Sequence, residues 1–507
     1  MLNLLTSSQI RDADAHTISS KSTSSLDLME DAAKAFVTEF KKEVPKNTPI
    51  SIFCGTGNNG GDGLAIARLL KEDAYANLSV KIVRFSNRSS KDFNANLVSL
   101  KKTEIPISEV SEAKDLFKEP LEVVIDALLG SGMNKPVDGF LKSIIEHINN
   151  SGKKVISVDI PSGFPSEGII SLDSITIKAS LAISFQRPKI NFFFPESARA
   201  LERFKVAPIG LDENYIQSLP SQFKLIEETD IQNIVRPRKP FSHKGSYGHA
   251  LIIAGSRETM GAALLCADAC LHSGAGLTTA CIPESGLTAL NTRSPEIMAL
   301  IRDENLSVKN FSNYSSIAFG PGTGTDNTSI KLFRKVLISG DIPMVFDADA
   351  LTILSNNREL FSELPAMSIL TPHMNEFDRM FGRHTSWWDR VETAQNKAQE
   401  LQVIILLKNQ YSFIVLPDGN VLTNPTGNPA MAVGGMGDIL TGMIAGFLAQ
   451  GYSAPNAAIL ACYLHGKAGD ELKEEGMNSI PPRYLVERLP FVINGYLSKP
   501  YLNDTPI

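Results

Sequence analysis

Residues 434–438 read Gly-Gly-Met-Gly-Asp, and the apolar positions that follow, Ile439, Leu440, Met443, Ile444, Phe447 and Leu448, recur at helical spacing. Glycines at a helix N-terminus leave backbone N–H groups open, and the helix dipole adds positive potential there. Gly434, Gly435, Met436 and Gly437 therefore form a candidate anion hole for a transferring phosphoryl group. Asp438 stands beside it as a candidate base for an attacking hydroxyl. The same five residues also suit a tight turn capped by Asp438.

A second glycine-rich stretch, GTGNNGGDG at residues 55–63, lies between the apolar run PISIFC and the helical LAIARLLKED. Gly55, Gly57 and Gly60 satisfy the dinucleotide fingerprint, yet the next strand-like run ends in Ser86, Asn87 and Arg88 where the fingerprint wants an acid. Binding of NAD as a redox cofactor loses support. Further polar residues follow later apolar runs: Asp126 with the turn Gly130, Ser131 and Gly132 after EVVIDALL, and Asp159 with Ser162 in KVISVDIPSG. Together with Asn58, Asn59, Gly60, Gly61 and Asp62 they would gather at one sheet edge, where glycine turns can hold phosphate. So many oxygen donors with little positive charge suit a hard cation. Singly, Asp62 also reads as a helix cap and Asp126 and Asp159 as turn formers.

The elements needed to position these residues are strands of a parallel sheet. ISIFC, LSVKIVRF, EVVIDALL, KVISVDI and LAISF are continuous apolar runs separated by helical stretches or loops, as expected of strands covered on both faces. LDLMEDAAKAFVTEFKKEV reads as an amphipathic helix. After a Pro-rich polar stretch a second series begins, HALIIAG, SIAFG, MVFDA, SILTP and VIILLK, which places a boundary near residues 215–225. The expectation is an α/β protein of two domains, 1–220 and 221–507. In the second, GPGTG (320–324), TPHMNEF (371–377) and LKNQYS (407–412) each follow a strand and can line one cleft.

At 507 residues the chain exceeds what one core serves, and a hydrophobic fraction of 43% fills two. A net charge of −6 argues against a nucleic-acid partner. Five cysteines without a CxxC pair point to a reducing compartment, with Cys266 and Cys270 as buried thiols on one helix face. The first residues lack a signal-like pattern and no apolar run approaches a membrane span, so a soluble cytoplasmic protein is expected.

NNGGDG, DALLGSGMNKPVDG and VDIPSG, in this order, resemble the epimerase domain of NAD(P)H-hydrate repair proteins over about residues 1–215. That resemblance implies a Rossmann-like α/β/α epimerase domain. Its potassium ligands would be Asn59, Asp126 and Ser162, and its substrate contacts Asn58 to Asp62, Gly130, Ser131, Gly132, Met133, Asn134, Lys135, Pro136 and Asp159. Asp159 is the candidate catalytic group. Two positions depart from the family pattern, Ala33 where Gly is usual and Lys135 where Arg is common; a lysine offers a point charge in place of a fork.

KGSYGHALIIAGS and the GGMGD helix, with the three loops above, resemble the ADP-dependent dehydratase domain of the same system over about residues 224–497. The implied fold is ribokinase-like α/β, with Asp438 as catalytic base. Ala250, Gly322, His373 and Asp438 would contact the hydrate, and Lys408, Asn409, Gln410, Tyr411, Ser412 and Gly437 the nucleotide. Family members commonly read KG and HPGE where this chain has Lys408-Asn409 and His373-Met374-Asn375-Glu376. The substrates implied are NADHX, NADPHX and ADP, with K+ in the first domain and Mg2+ in the second, Glu376 being a helper at the latter. No nucleic acid or membrane partner is implied, and a homo-oligomer is expected. The alternatives are a small-molecule kinase, since GxGD with an anion hole serves those enzymes too, and a first domain that binds nucleotide without catalysis.

Overall fold

The computed structural model describes residues 1–86, 88–110, 121–132, 136–303 and 306–497. Met133, Asn134 and Lys135, expected at the first site, and Asn87 lie outside them. The chain divides into two compact units. Asn3–Ser221 with Ser386–Trp388 forms the N-terminal unit; Gln222–Thr385 and the residues from Asp389, with Met1–Leu2, form the C-terminal unit.

The chain begins with the two-residue strand β1 (Leu2–Asn3), at one edge of the C-terminal unit's sheet. The N-terminal unit holds β2 (Ile50–Cys54), β3 (Leu78–Val83), β4 (Ile107–Val110), β5 (Val123–Ala127), β6 (Lys154–Val158), β7 (Leu181–Phe185) and β8 (Phe204–Ala207). They form one sheet in the order β4-β3-β2-β5-β6-β7-β8, every pair parallel. The order reverses at β2, where β3 lies on one side and β5 on the other; ligands collect outside the carboxyl ends of strands at such a point. Every residue of β2 and β5 is buried, because helices cover both faces. Helix Ser25–Phe40 starts from a capping box, Ser24 with Asp27, and turns Ala32, Ala33, Phe36, Val37 and Phe40 inward. Ala33 is fully buried.

The C-terminal unit contributes β9 (Phe223–Leu225), β10 (His249–Ile253), β11 (Leu277–Ile282), β12 (Met298–Ile301), β13 (Ser316–Phe319), β14 (Met344–Phe346), β15 (Ile369–Leu370), β16 (Ile404–Leu407), β17 (Phe413–Val415) and β18 (Val421–Thr423). Its sheet runs β1-β9-β18-β17-β16-β15-β14-β13-β10-β11-β12. From β12 to β16 all pairings are parallel, and β16, β17 and β18 then form an antiparallel meander. Helix Met436–Ala449, apolar almost all round, is buried between helix Met260–His272 and the sheet. Cys266 and Cys270 sit buried on that neighbouring helix as free thiols, and burial raises both.

Candidate functional site

In the N-terminal unit the glycines of residues 55–63 act mainly through close packing. A Cβ on Gly55 would lie 2.0 Å from the Leu128 carbonyl oxygen, and one on Gly60 would lie 1.9 Å from the Gly55 oxygen. Gly57 has open space instead, and as N-cap it starts helix Asn58–Glu72. Asp62 falls inside that helix, so its capping alternative falls away. Asn58, Asn59, Asp62, Gly130, Ser131, Gly132 and Asp159 line one cleft of 720 Å³. Gly60, Gly61 and Pro136 are not among its lining residues. Gly61 instead abuts the Met29 thioether.

At the carboxyl end of β5, Asp126 is fully buried and accepts from Ser162 Oγ (2.6 Å), Ser162 N (2.9 Å) and Ser157 Oγ (2.8 Å). Burial nonetheless raises its carboxyl above the ordinary range. Ser162 Oγ also accepts from Leu129 N at 2.8 Å, while Asn59 Nδ2 donates to the Leu129 carbonyl at 2.9 Å. The structure thus brings Asn59, Asp126 and Ser162 together around Leu129. Asp159 follows β6 with φ of 66°, a left-handed backbone that costs about 1 kcal/mol or more and clusters at functional sites. Its Oδ1 accepts from Phe185 N at 2.9 Å and ion-pairs with Lys189 Nζ at 2.6 Å.

In the C-terminal unit, helix Met436–Ala449 begins after Gly435, whose φ is 98°. Gly435 is therefore the N-cap and Asp438 lies in the first turn, its side chain making no hydrogen bond with any described residue. The plain-cap alternative for Asp438 does not hold. Burial and the like charges of Asp347 and Asp349, opposed by Lys408, push its carboxyl up to about 6. Lys408 follows β16 and reaches Asp347 Oδ1 at 2.7 Å; Thr441 Oγ1, one turn into the helix, donates to Asp347 Oδ2 at 2.8 Å. A Cβ on Gly437 would lie 3.4 Å from Lys408 Nζ. Lys408 and the backbone at Gly437 are thus neighbours.

His373 bridges to Lys408 between the ends of β15 and β16 and caps helix Met374–Phe381, its Nδ1 accepting from Asn375 N at 3.1 Å. Glu376 completes this box by accepting from His373 N at 2.9 Å, and lies 3.9 Å from Lys408. Burial raises its carboxyl, against the opposing charge of Lys408. Gly322, with φ of 64°, packs so closely on Thr259 that a Cβ would lie 2.7 Å from its hydroxyl oxygen. Asn409, Gln410, Tyr411 and Ser412 form the turn into β17, closed by Ser412 Oγ donating to Asn409 O at 3.1 Å.

Ala250 needs correction. It lies inside β10, hydrogen-bonded into the sheet between β11 and β13 and with no exposed surface. Its register partner is Ser316, the first residue of β13, so it sits at the end of the sheet opposite Gly322. At about 3.3 Å per residue, that separates it from the cleft by roughly 10 Å.

Residues 25–191 match the family model described as YjeF-related protein N-terminus, and residues 250–491 match the one described as NAD(P)H-hydrate dehydratase. A bifunctional NAD(P)H-hydrate repair enzyme of Moorella thermoacetica is 32% identical, with 97% of each chain covered. The chain belongs to the bifunctional NAD(P)H-hydrate repair enzyme family. A second relative of that name, from Thermofilum pendens, is 34% identical over 87% of this chain and 86% of its own. Among solved structures, a ribokinase-like superfamily protein of Enterococcus faecalis V583 superposes with a TM-score of 0.51 at 29% identity, covering 55% of this chain and 98% of that one.

Three polar residues of this repair-family chain escaped the sequence reading. Asp347 directly follows β14, so the rule of inspecting strand ends reaches it. Asp14, from helix Ser7–Ser20, and Lys189, from an irregular segment, also line the first cleft, and neither follows an apolar run that would flag it.

Proposed function

We propose that the chain repairs hydrated NADH and NADPH. The N-terminal unit interconverts the R and S hydrates, and the C-terminal unit dehydrates the S hydrate at the expense of ADP, giving AMP, phosphate and NADH or NADPH. The observation that carries the second activity is Asp438: a carboxylate that no described residue hydrogen-bonds, in the first turn of a glycine-started helix and near Lys408. Hydroxide is a poor leaving group. Asp438 takes the proton of the hydroxyl on the hydrated ring carbon, and that oxygen attacks the terminal phosphoryl group of ADP while AMP departs. The resulting ester loses phosphate and an adjacent C–H proton, and the ring double bond returns. The open N–H groups of Gly434 to Gly437 and Lys408 stabilise the charge on the transferring group.

Asn59, Asp126 and Ser162 would hold potassium: their oxygens gather at the Leu129 carbonyl, and no cationic side chain hydrogen-bonds any of them among the described residues. All-oxygen donors with one buried carboxylate suit a hard cation. It would supply fixed positive charge at the foot of the cleft. Magnesium would neutralise phosphate charge, with Glu376 beside the nucleotide end of Lys408. We assign Gly322 and His373 to the hydrate, and Asn409 to Ser412 and Gly437 to the nucleotide. Five free, buried cysteines fit a reducing cytoplasm, and among the described residues no helix is long and apolar enough to cross a membrane. A homo-oligomer is the assembly we expect.

Absorbance in the reduced-nicotinamide band tests the proposal, using both hydrate epimers with ADP or ATP and magnesium. Complete recovery in wild type, lost in Asp438→Ala, is the expected result. Recovery stopping at the S fraction would remove the epimerase, and a stable phosphate ester as product would mean a kinase.

A further inference from the structure

An epimerase reading of the N-terminal unit needs an acid and a base, and its cleft holds more carboxyl groups than a potassium site and a phosphate cradle would use. Asp14 enters from helix Ser7–Ser20, Asp62 from helix Asn58–Glu72 and Asp159 from the end of β6, and all three line the same 720 Å³. The other charged groups facing it are Arg11, Arg88, Asp92 and Lys189. Arg11 and Arg88 are exposed, and Asp92, half-buried, takes a hydrogen bond from Ser25. Lys189, at 3% exposure, is committed to Asp159. Neither the Asp14 nor the Asp62 side chain has a hydrogen bond or ion pair with any described residue.

Two unpaired carboxyl groups beside a third, with one buried lysine among them, cannot all shed their protons cheaply. Asp14 is pushed up to about 6 by burial and then by the charge of Asp159, with Lys189 opposing. Asp62 is raised well above its ordinary range by burial and by Asp159, Asp14 and Asp92.

We propose that Asp62 is the general acid of epimerisation, that Asp14 is the like-charged neighbour that favours its protonated form, and that Asp159, in its ion pair with Lys189, is the base. This rests on the epimerase reading above. The hydrated carbon carries both a hydroxyl group and the ring nitrogen. Asp159 takes the hydroxyl proton, the oxygen's electron pair forms a carbonyl, and the carbon–nitrogen bond breaks. Its electron pair goes to nitrogen, which receives the proton of Asp62. Rotation about the neighbouring carbon–carbon bond turns the other face of the aldehyde to the nitrogen, and the two proton transfers run backwards as the ring closes. No oxidant, reductant or further reactant enters.

The test uses the full chain with nucleotide withheld, so that the second activity is silent, and follows R and S hydrates by chromatography. Asp62→Asn should lower kcat roughly 100-fold or more with KM near wild type, the scale of a lost general acid. Asp14→Asn should move the upper limb of the kcat–pH profile to lower pH, because Asp62 loses its proton more readily without a like charge beside it. A structural role alone would not move that limb. Independently of activity, isotope-edited infrared spectra of labelled aspartate in the folded chain should show a protonated carboxyl at neutral pH that Asp62→Asn removes. Wild-type kcat in Asp62→Asn, or no protonated carboxyl in wild type, overturns the assignment. Wild type that fails to interconvert the epimers while still holding the protonated carboxyl overturns the epimerase reading, and the assigned roles with it.

Discussion

The Asp438 carboxyl, raised from 3.8 to about 6, serves as a base only after losing its proton. Dehydratase kcat/KM should therefore fall as pH drops through about 6, read from initial rates across a pH series. Asp347→Asn removes the like charge that contributes most after burial and should shift this limb to lower pH. The same raised value has a stability consequence of opposite sign. The folded chain holds this proton more tightly than the unfolded chain, so the group's favourable contribution is complete below about 4 and is lost as pH rises through about 6. At neutral pH the buried charge costs on the order of 3 kcal/mol. Asp438→Asn should accordingly unfold at higher denaturant concentration than wild type at neutral pH, while dehydratase activity is abolished. Asp438, Asp159 and Lys408 were legible because each directly follows a glycine turn or an apolar run. Asp14 was not, since a lone acid on an amphipathic helix is indistinguishable in sequence from a solvated surface charge.

Helix Met436–Ala449 owes its position to glycines on its buried face. A Cβ on Gly442 would lie 2.0 Å from the Cys266 carbonyl oxygen, and one on Gly446 would lie 2.8 Å from that of Cys270. Two backbones meet there without side chains between them, so neither can yield as a flexible side chain would. Gly442→Ala must push the helices apart, costing about 1–3 kcal/mol as overpacking. The anion hole moves with the helix, so dehydratase kcat should fall along with the urea midpoint. Epimerase turnover, measured without nucleotide, should keep its wild-type value. Sequence spacing identified this helix and its glycine-rich start, but the tight face carried no signal of its own: a glycine that opens a turn and one that admits a neighbouring backbone are the same letter. Ala250 went astray for a related reason. A motif at the mouth of a strand does not say which strand residues reach the cleft, and only register separates Ala250 at one end of β10 from Ile253 at the other.

At the scale of the whole chain, the long apolar runs marked ten strands correctly, because strands buried on both faces leave continuous hydrophobic sequence. The strands that escaped are short or mixed in character: β4 carries two exposed residues and β11 begins Leu-Thr-Thr. β17 and β18 of the antiparallel meander also escaped, since their tight connections resemble ordinary loops. Each of the two candidate sites is assembled from one unit's own residues. If the two activities communicate only through released hydrate, each can be removed without touching the other. Asp62→Asn should then convert only the S fraction of a mixed hydrate, plus whatever epimerises spontaneously, and Asp438→Ala should convert none. Mixed in solution at equal concentration, the two variants should restore complete conversion, because the R hydrate turned over by one is free to reach the other. Conversion that still stops at the S fraction, with both variants folded and each retaining its own remaining activity, would mean that hydrate passes between centres of a single chain without release.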